Sequence, residues 1–443
     1  MFANRYIQPS FGLKSNAFKN FLSCLGQHSS TARPPSGRGI ASLIKNTEEP
    51  FPIVMVGSGN VMFGTPEGPW NHSIRLERKL GSRLHVMGIV DPNTKRAHTA
   101  LSQKQSSAEA APSYVDTQIY SKLSDIPAAH HPRLIMIGSH PCSRGTDIPG
   151  RDLELQAIQQ FPGVPIFVEK PISTAEVPAA RRVAHKLGEK KVVCSVGYML
   201  RYLRAVQRMK QIIKDKNLVV MGTNSRYYGA YSKGSRLDWW DKSREQGPIV
   251  EQATHFCDLA RYFGGDVVLD TISARTVEWH ENPGKLSRVP IDESLVAPEN
   301  RIPRATSAVW KYQSGAIGSM THSTILHGTL YACEFEVYCD GYTMRLSDPY
   351  GVPVLHVRQT GQDYEEIERY VDDDPFYSEV RPQTFLIYTT RCNLRTKVSN
   401  LVDLVDGTQD RHSGILSSYQ DACKTYELTW AIREASERAR VGM

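Results

Sequence analysis

A short apolar strand that runs directly into a glycine turn constrains the fold of this chain more than any other feature. Residues 51–56 (FPIVMV) are followed at once by Gly57-Ser58-Gly59. An apolar run of this length that is rich in β-branched residues and ends in glycine is typical of a buried parallel strand. Glycines at its carboxyl end let the backbone turn tightly and approach a pyrophosphate, whose charge is met by backbone N–H groups.

The turn therefore predicts a dinucleotide site that also includes Asn60 and Val61. The alternative is a glycine turn that serves chain geometry alone. Position 62, where a third glycine is usual, holds Met62, and a loop reaching Trp70 delays the next helix.

Strands and helices alternate around this turn. Apolar runs predict further strands at 84–90, 134–137, 164–168 and 191–196, and helical spacing predicts helices at 73–80, 95–101, 153–160 and 177–187. Such alternation forms a doubly wound parallel sheet with right-handed crossovers. We therefore expect residues 51–197 to form an α/β Rossmann domain that binds a dinucleotide.

The pattern changes after Gly197. Residues 200–214, 249–263 and 419–440 have helical spacing, whereas 271–279, 305–312, 316–321, 331–339 and 342–346 alternate as strands. Asp340-Gly341 joins two of these strands and is a hairpin signal. Residues 198–443 are therefore predicted to form an α+β domain for substrate binding and oligomerisation, with a large antiparallel or mixed sheet.

The first 50 residues differ from the rest. Residues 1–47 contain no Asp or Glu, and apolar residues recur at helical spacing from Phe18 to Leu25. This composition is typical of a mitochondrial transit peptide and equally of a disordered leader. We expect residues 1–50 to be a leader, and the protein to be cytoplasmic, with mitochondria as the alternative.

Composition also limits the classes of partner. No apolar stretch reaches about 18 residues, so no membrane span is expected. The net charge of +7 comes without Lys/Arg runs or nucleic-acid motifs, and the eight cysteines include no CxxC pair and none at zinc spacing. We expect a small-molecule substrate and no metal, nucleic acid or membrane.

Asp91 ends the second predicted strand. An acid there can bind the adenosine ribose 2′-OH and repels a 2′-phosphate, which favours NAD over NADP. Lys95 and Arg96 lie nearby, so NADP is not excluded. An Asp-Pro turn residue is an equally good interpretation of Asp91.

Glu169-Lys170-Pro171 ends the strand predicted at 164–168. At the carboxyl end of a parallel strand, the lysine would point into the ligand crevice, where an ammonium group can stabilise an alkoxide. Pro171 would fix the chain direction, with a cis bond as one option.

The order of these motifs resembles the Gfo/Idh/MocA family, which takes its name from glucose–fructose oxidoreductase and inositol dehydrogenase. The order is the glycine turn, Glu169-Lys170-Pro171, VGYMLRY at 196–202, GPIVEQATHFCDL at 247–259 and YELTW at 426–430. The resemblance spans roughly residues 51–440. It implies an NAD(P)-dependent oxidoreductase that acts on a sugar, cyclitol or related polyol, with a non-catalytic dinucleotide-binding sensor or regulator as the alternative.

The resemblance also implies catalytic roles. Lys170 matches the family's catalytic lysine, and His255 matches the histidine of its Asp-x-x-x-His element, where Glu251 replaces the usual aspartate. On one continuous helix, Glu251 and His255 would lie on the same face. His255 would remove a hydroxyl proton while Lys170 holds the developing oxyanion. A hydrogen-bonded helix histidine is the alternative for His255.

Further contacts are expected around this centre. Ser139, Pro141 and Glu169 are predicted cofactor contacts. The residues predicted to line a polyhydroxylated substrate are Tyr198, Arg201, Tyr228 and Trp240, although Trp240 is as easily a packing residue. The family also implies pairing through the open face of the second sheet, giving a homodimer or homotetramer. Residues 390–400 look longer than the family pattern, and no function is assigned to them.

Overall fold

The first half of the chain forms a six-stranded parallel sheet. This computed structural model describes residues 49–64, 70–232, 234–371, 397–407 and 415–441. The strands are β1 (Phe51–Val56), β2 (Leu84–Val90), β3 (Gln118–Tyr120), β4 (Leu134–Ile137), β5 (Ile166–Val168) and β6 (Cys194–Val196), in the order β3-β2-β1-β4-β5-β6. The helices are α1 (Asn60–Phe63), α2 (His72–Leu80), α3 (Thr94–Gln105), α4 (Leu153–Gln160) and α5 (Val177–Glu189). The strand order and the parallel pairings confirm the predicted Rossmann fold.

The second half of the chain forms an eight-stranded mixed sheet, as predicted. Its strands are β7 (Val220–Ala230), β8 (Val267–Val277), β9 (Ala305–Tyr312), β10 (Ile317–Leu326), β11 (Tyr331–Cys339), β12 (Tyr342–Ser347), β13 (Val354–Arg358) and β14 (Glu366–Arg369). They follow the order β14-β13-β12-β11-β7-β10-β9-β8, and β7 and β10 pair in parallel. The helices are α6 (Arg204–Asp215), α7 (Leu237–Trp240), α8 (Lys242–Glu245), α9 (Pro248–Glu251), α10 (Thr254–Gly264), α11 (Lys397–Val405) and α12 (Tyr419–Val441).

Helix α12 belongs to the cores of both sheets. Its first turns bury Tyr419 and Tyr426 against the parallel sheet, and its later turns bury Leu428 and Ile432 against the mixed sheet. Just before the helix, Ser418 forms an antiparallel bridge with Ser195 of β6. The chain therefore returns to the first domain at its end, and both sheets lie in one unit, Glu48–Met443.

Two predicted helices are interrupted. The helix predicted over 200–214 is a 3-10 turn at Met199–Tyr202 followed by α6, because Leu203 between them has extended backbone. The helix predicted over 249–263 is broken into α9 and α10. Strands β3, β7, β13 and β14 and helices α1, α7, α8 and α11 were not predicted. In β7 the residues Gly222, Asn224 and Gly229 weaken the strand pattern.

Some predictions lie outside the described residues. These are the leader over 1–48 and residues 390–396 of the longer segment. Within the described part of the chain, no helix combines the length and apolar character that a membrane crossing requires.

Candidate active site

The glycine turn after β1 packs directly on the loop after β4. Gly57 has φ of 95°, and a Cβ there would lie 2.7 Å from the backbone nitrogen of Ser139. A side chain at position 57 would therefore be strained by the backbone and would clash with this loop. By contrast, a Cβ on Gly59 would meet no heavy atom within 4 Å. Gly59 precedes α1, so Asn60 and Val61 occupy its first turn, where backbone N–H groups lack intrahelical partners.

Met62 stands where the usual turn has its third glycine, but its side chain does not fill the open space beside Gly59. Its side chain is fully buried and packs over Gly138, the residue after β4. A Cβ at Gly138 would lie 2.9 Å from Met62 Cε and 3.3 Å from Val61 Cγ1. The close packing that glycine on the helix usually permits is therefore provided here by a glycine on the strand side.

Asp91 is buried beside the turn, and its hydrogen bonds favour the ionised carboxylate. Its Oδ2 accepts hydrogen bonds from Ser58 N at 2.8 Å, Ser58 Oγ at 2.7 Å and Arg96 Nη2 at 2.8 Å, and its Oδ1 accepts one from Asn93 N at 2.8 Å. Burial alone would raise the pKa of Asp91, but these hydrogen bonds outweigh it and hold the pKa below its ordinary value. Asp91 thus fixes Ser58 and Arg96 beside the turn.

The end of β5 carries Glu169 and Lys170. The Lys170–Pro171 bond is cis, in agreement with one of the options from the sequence. The carboxylate of Glu169 accepts hydrogen bonds from His72 Nε2 at 2.7 Å and from the backbone N–H of Lys170 at 3.0 Å. A Cβ on Gly197 would lie 2.7 Å from this carboxylate, so glycine is needed there. Glu169 is therefore held from three sides and positions the backbone of the lysine.

Lys170 reaches across to the second half of the chain. Its Nζ donates to the backbone oxygen of Glu251 at 3.0 Å and lies 3.3 Å from Glu251 Oε1. The side chain remains partly accessible, with 18% of its surface exposed. An ammonium group that is paired and partly accessible at a strand end can donate to a bound oxygen.

The expectation that Glu251 and His255 share one helix is wrong. Glu251 ends α9, Gln252 and Ala253 form a turn, and His255 lies in the first turn of α10. The Glu251 carbonyl at the end of α9 accepts a hydrogen bond from Lys170. The His255 ring is buried, with its centroid 6.2 Å from that of Tyr198 and 6.3 Å from that of Tyr350.

Three tyrosines near Glu251 were missed by the sequence analysis: Tyr227, Tyr331 and Tyr350. The Tyr331 and Tyr350 ring centroids are 4.9 Å apart, and each is 6.0 Å from that of Tyr227. Burial, with a smaller contribution from the charge of Glu251, raises the pKa of Tyr331 to about 12. Tyr331 and Tyr350 are half-buried, so this aromatic cluster borders the space beside Lys170 and Glu251.

His322 extends this aromatic cluster by packing against the ring of Tyr227. The two rings are stacked at 5.0 Å, and His322 Nε2 hydrogen-bonds with Gln252 Oε1 at 3.0 Å. Burial lowers the pKa of His322 to about 3, so this imidazole is neutral near pH 7. It therefore holds Gln252, within the break between α9 and α10, without adding charge.

Residues 51–198 match the family model described as "Oxidoreductase family, NAD-binding Rossmann fold", named for Gfo/Idh/MocA, and residues 201–342 match the model of an oxidoreductase C-terminal domain. An uncharacterized protein of Schizosaccharomyces pombe is 43% identical over 395 residues, covering 88% of this chain and 92% of the relative. A second one from that organism is 40% identical over 390 residues, covering 86% and 95%. The chain belongs to the Gfo/Idh/MocA family.

Solved structures share the fold at low identity. Levoglucosan dehydrogenase, in complex with NADH and levoglucosan, has a TM-score of 0.63 and 17% identity, covering 88% of this chain and 98% of its own. An oxidoreductase from Agrobacterium radiobacter, in complex with NAD+, L-tartaric acid and magnesium, has a TM-score of 0.62 and 17% identity, covering 88% and 97%. The UDP-N-acetylglucosamine 3-dehydrogenase of Acidithiobacillus ferrooxidans has a TM-score of 0.60 and 12% identity, covering 87% and 98%.

As a member of the Gfo/Idh/MocA family, the protein is an NAD-binding oxidoreductase. The turn fits the cofactor, because Gly59 leaves open space and the first residues of α1 face it. Ser139 and Pro141, the predicted nicotinamide contacts, lie in the loop that packs on Gly57.

Three of the four predicted substrate residues of this Gfo/Idh/MocA protein have buried partners within the protein. Arg201 is buried in ion pairs with Asp258 and Asp421, each at 2.6 Å, so its donors are already used. Tyr198 is fully buried and hydrogen-bonds with Thr254 Oγ1 at 2.9 Å. The indole of Trp240 is buried and donates to the Gly234 carbonyl at 2.7 Å, which makes it a packing residue.

Tyr228 points to the wrong face of the sheet for a substrate contact. It lies with Arg226 on the open face, with the guanidinium 5.4 Å from its ring, while Tyr227 faces the helices. The strand period explains the error, because Arg226 and Tyr228 differ by two residues and must share a face. The same rule applied to β11 places Tyr331 with the buried Cys333 and Phe335, and could have identified it.

Proposed function

We propose that this protein is a dehydrogenase or reductase that transfers a hydride between NAD(H) and a CH–OH group of a sugar, cyclitol or related polyol, or its keto form. The observation that carries the proposal is the Lys170 ammonium at the end of β5, paired with Glu251 across the cleft. Levoglucosan dehydrogenase and UDP-N-acetylglucosamine 3-dehydrogenase share the fold and support a sugar-like substrate.

Different residues of the chain stabilise the substrate oxygen and transfer its proton. The hydride acceptor for the carbinol carbon would be supplied by bound NAD+. Lys170 donates a hydrogen bond to the substrate oxygen and stabilises its developing negative charge, while Glu251 holds the ammonium in place. His255 takes the hydroxyl proton, and in the reverse direction returns it. Tyr331 and Tyr350 offer an aromatic face to the sugar ring in place of the residues first expected.

The cofactor contacts follow from the first domain. Gly59, Asn60 and Val61 hold the pyrophosphate with backbone N–H groups. Gly57 and Ser58 shape the turn around it, because their own N–H groups donate to Val90 and Asp91. Asp91 accepts a hydrogen bond from the adenosine ribose and repels a 2′-phosphate, so NADH is expected to bind more tightly than NADPH, although Arg96 leaves NADPH one cationic partner. Ser139, Pro141 and Glu169 lie toward the nicotinamide end.

The test combines binding and turnover. NADH fluorescence measures cofactor affinity, and a screen of sugars, polyols and their keto forms follows NADH absorbance. Lys170→Met is expected to lower turnover about 100- to 1,000-fold with the NADH dissociation constant nearly unchanged. Lys186→Met, which removes an exposed lysine of α5, is the matched control and retains full turnover.

The competing function is a non-catalytic dinucleotide sensor. The Lys170–Glu251 pair favours the enzyme, because a sensor has no need of an ammonium in the cleft. Tight NADH binding without turnover of any compound in the screen would support the sensor. Unchanged turnover in Lys170→Met would remove Lys170 from the mechanism.

We also infer that two copies of the chain associate through the open face of the mixed sheet. That face carries the ion pair of Arg226 with Glu334 at 2.8 Å, together with the partly exposed Val309 and Ile317. Among the described residues no helix covers this face, and a face that presents apolar and paired charged residues suits a self-complementary contact.

A further inference from the structure

The loop between β4 and α4 contains a fully buried arginine that no part of the proposed chemistry uses. Arg144 is 1% exposed, and its side chain lies beneath the cofactor loop and the lysine loop. Its Nε donates to the backbone oxygen of Ser139 at 3.3 Å, and its Nη1 donates to the backbone oxygen of Glu169. One guanidinium therefore joins the loop after β4 to the residue that precedes Lys170.

The backbone around this arginine is fixed independently of its side chain. Gly145 has φ of 73°, and a Cβ there would lie 2.3 Å from the Ile172 carbonyl oxygen. The Ser173 hydroxyl donates to the Arg144 carbonyl at 3.3 Å, so the loop is attached to the segment after Lys170–Pro171. The guanidinium is therefore presented in one place, at low entropic cost.

A buried carboxylate balances the charge of Arg144. Glu154 of α4 is fully buried, and it accepts hydrogen bonds from Gly145 N at 2.9 Å and from the Tyr419 hydroxyl at 3.2 Å. Burial lowers the pKa of Arg144, and the charges of Glu154 and Glu169 oppose that change. A buried charge is costly unless it is paired and hydrogen-bonded, so this arrangement needs both carbonyls and the carboxylate.

We propose that Arg144 is a positioning residue that fixes the spacing between the cofactor loop at Ser139 and the catalytic amine of Lys170. This inference rests on the proposed function, in which the nicotinamide lies near Ser139 and Lys170 contacts the substrate oxygen. The planar fork of the guanidinium binds two carbonyls from two different strand ends at once, and an ammonium group cannot reproduce that geometry. Hydride transfer depends steeply on this spacing, since a displacement of about 1 Å can cost roughly 100-fold in rate.

The decisive variant is Arg144→Lys, because it keeps a buried positive charge near Glu154 while removing the fork. Three measurements apply to the full-length protein: the unfolding midpoint, the NADH dissociation constant from fluorescence, and the pH profile for labelling of Lys170 by an amine reagent, located by peptide mass. We expect the midpoint to fall by only a few degrees, because the buried ammonium keeps its charge partner Glu154 but loses a carbonyl, and the NADH affinity to stay close to wild type. The labelling profile of Lys170 should move, and turnover of any substrate found should fall tenfold or more.

Arg182→Ala is the matched control. Arg182 of α5 pairs with Asp147 of the same loop at 2.8 Å, but its side chain is 53% exposed, so its loss should change none of the measurements. A wild-type labelling profile in Arg144→Lys would overturn the proposal, as would parallel losses of stability, NADH binding and labelling. The labelling measurement needs no substrate, so it still decides the role of Arg144 if the screen finds no turnover.

Discussion

Cys142 differs from the other described cysteines in exposure and in its electrostatic surroundings. It is exposed, whereas Cys194, Cys257, Cys333, Cys339 and Cys423 are buried. A hydrogen bond with the His140 imidazole lowers the pKa of Cys142, with a smaller contribution from the charge of Arg151. His140 in turn lies 3.3 Å from Glu245, and the hydrogen bonds to Cys142 and Glu245 raise the pKa of His140 to about 9. Since the thiolate is the nucleophile, Cys142 is expected to react first.

Limiting iodoacetamide, followed by peptide mass analysis, tests this expectation. Cys142 should be alkylated before the five buried cysteines, whose pKa values burial raises. Because the pKa of Cys142 is lowered, its rate should persist below the ordinary thiol pKa and decline only on further acidification. His140→Asn should slow labelling near neutral pH and move the rate profile to higher pH, while His131→Asn, at an exposed position, should not. Equal labelling of buried cysteines, or an unmoved profile, would refute the assignment.

Single residues also show where sequence reasoning stops. The order of motifs was sufficient to place Lys170 and Glu251 together, because strand ends and family spacing constrain both. Arg201 was misassigned because its partners, Asp258 and Asp421, are brought to it only by the packing of α10 and α12. A polar side chain in a motif predicts that a polar contact exists, but tertiary packing decides which group is its partner.

Helix α1 packs on the end of β4 through Met62, which stands where a third glycine is usual, and Gly138. Either Met62 or a side chain at position 138 fits beneath the turn, but a Cβ at Gly138 would lie 2.9 Å from Met62 Cε. Gly138→Ala should therefore destabilise the protein by about 1–3 kcal/mol through overpacking. Met62→Ala should cost about 2–5 kcal/mol through a cavity.

A double-mutant cycle separates coupling from general damage. In Met62→Ala/Gly138→Ala the added methyl enters the vacated space, so the double variant should be more stable than the sum of the single losses by about 1 kcal/mol. Urea unfolding measures each free energy. Met62→Ala combined with Gly188→Ala, on the distant helix α5, should be additive. Additivity in the first pair would show that Met62 does not depend on Gly138.

The break between α9 and α10 could not be read from the sequence. Residues 249–263 hold no internal proline or glycine, and their apolar spacing is continuous. Two tertiary hydrogen bonds are made at the break, from Lys170 to the Glu251 carbonyl and between His322 and Gln252. The sequence pattern correctly predicted helical structure on both sides of the break, and the break itself lies at residues of the candidate site.

At the scale of the whole molecule, α12 explains why the domain boundary near residue 197 is incomplete. Alternating strands and helices predicted the first sheet, and strand alternation predicted the second. Neither pattern shows that the last helix buries Tyr419 and Tyr426 in the first core and Leu428 in the second. Such a contact joins residues distant in sequence, and it ties the parallel sheet to the mixed sheet.

The open face of the mixed sheet gives the last prediction, which concerns assembly. Val309 of β9 and Ile317 of β10 lie on this face, each 44% exposed, beside polar residues such as Ser319. If two copies pair here, sedimentation should show a dimer, and Val309→Glu or Ile317→Lys should weaken it tenfold or more, because a charge would be buried without a partner. NADH affinity per chain should not change, since the turn at Gly57 lies in the other sheet. Val115→Glu, at an exposed apolar residue of the first domain, is the control and should leave the dimer intact. A monomeric wild type, or a dimer that survives both substitutions, would place any self-association on another surface.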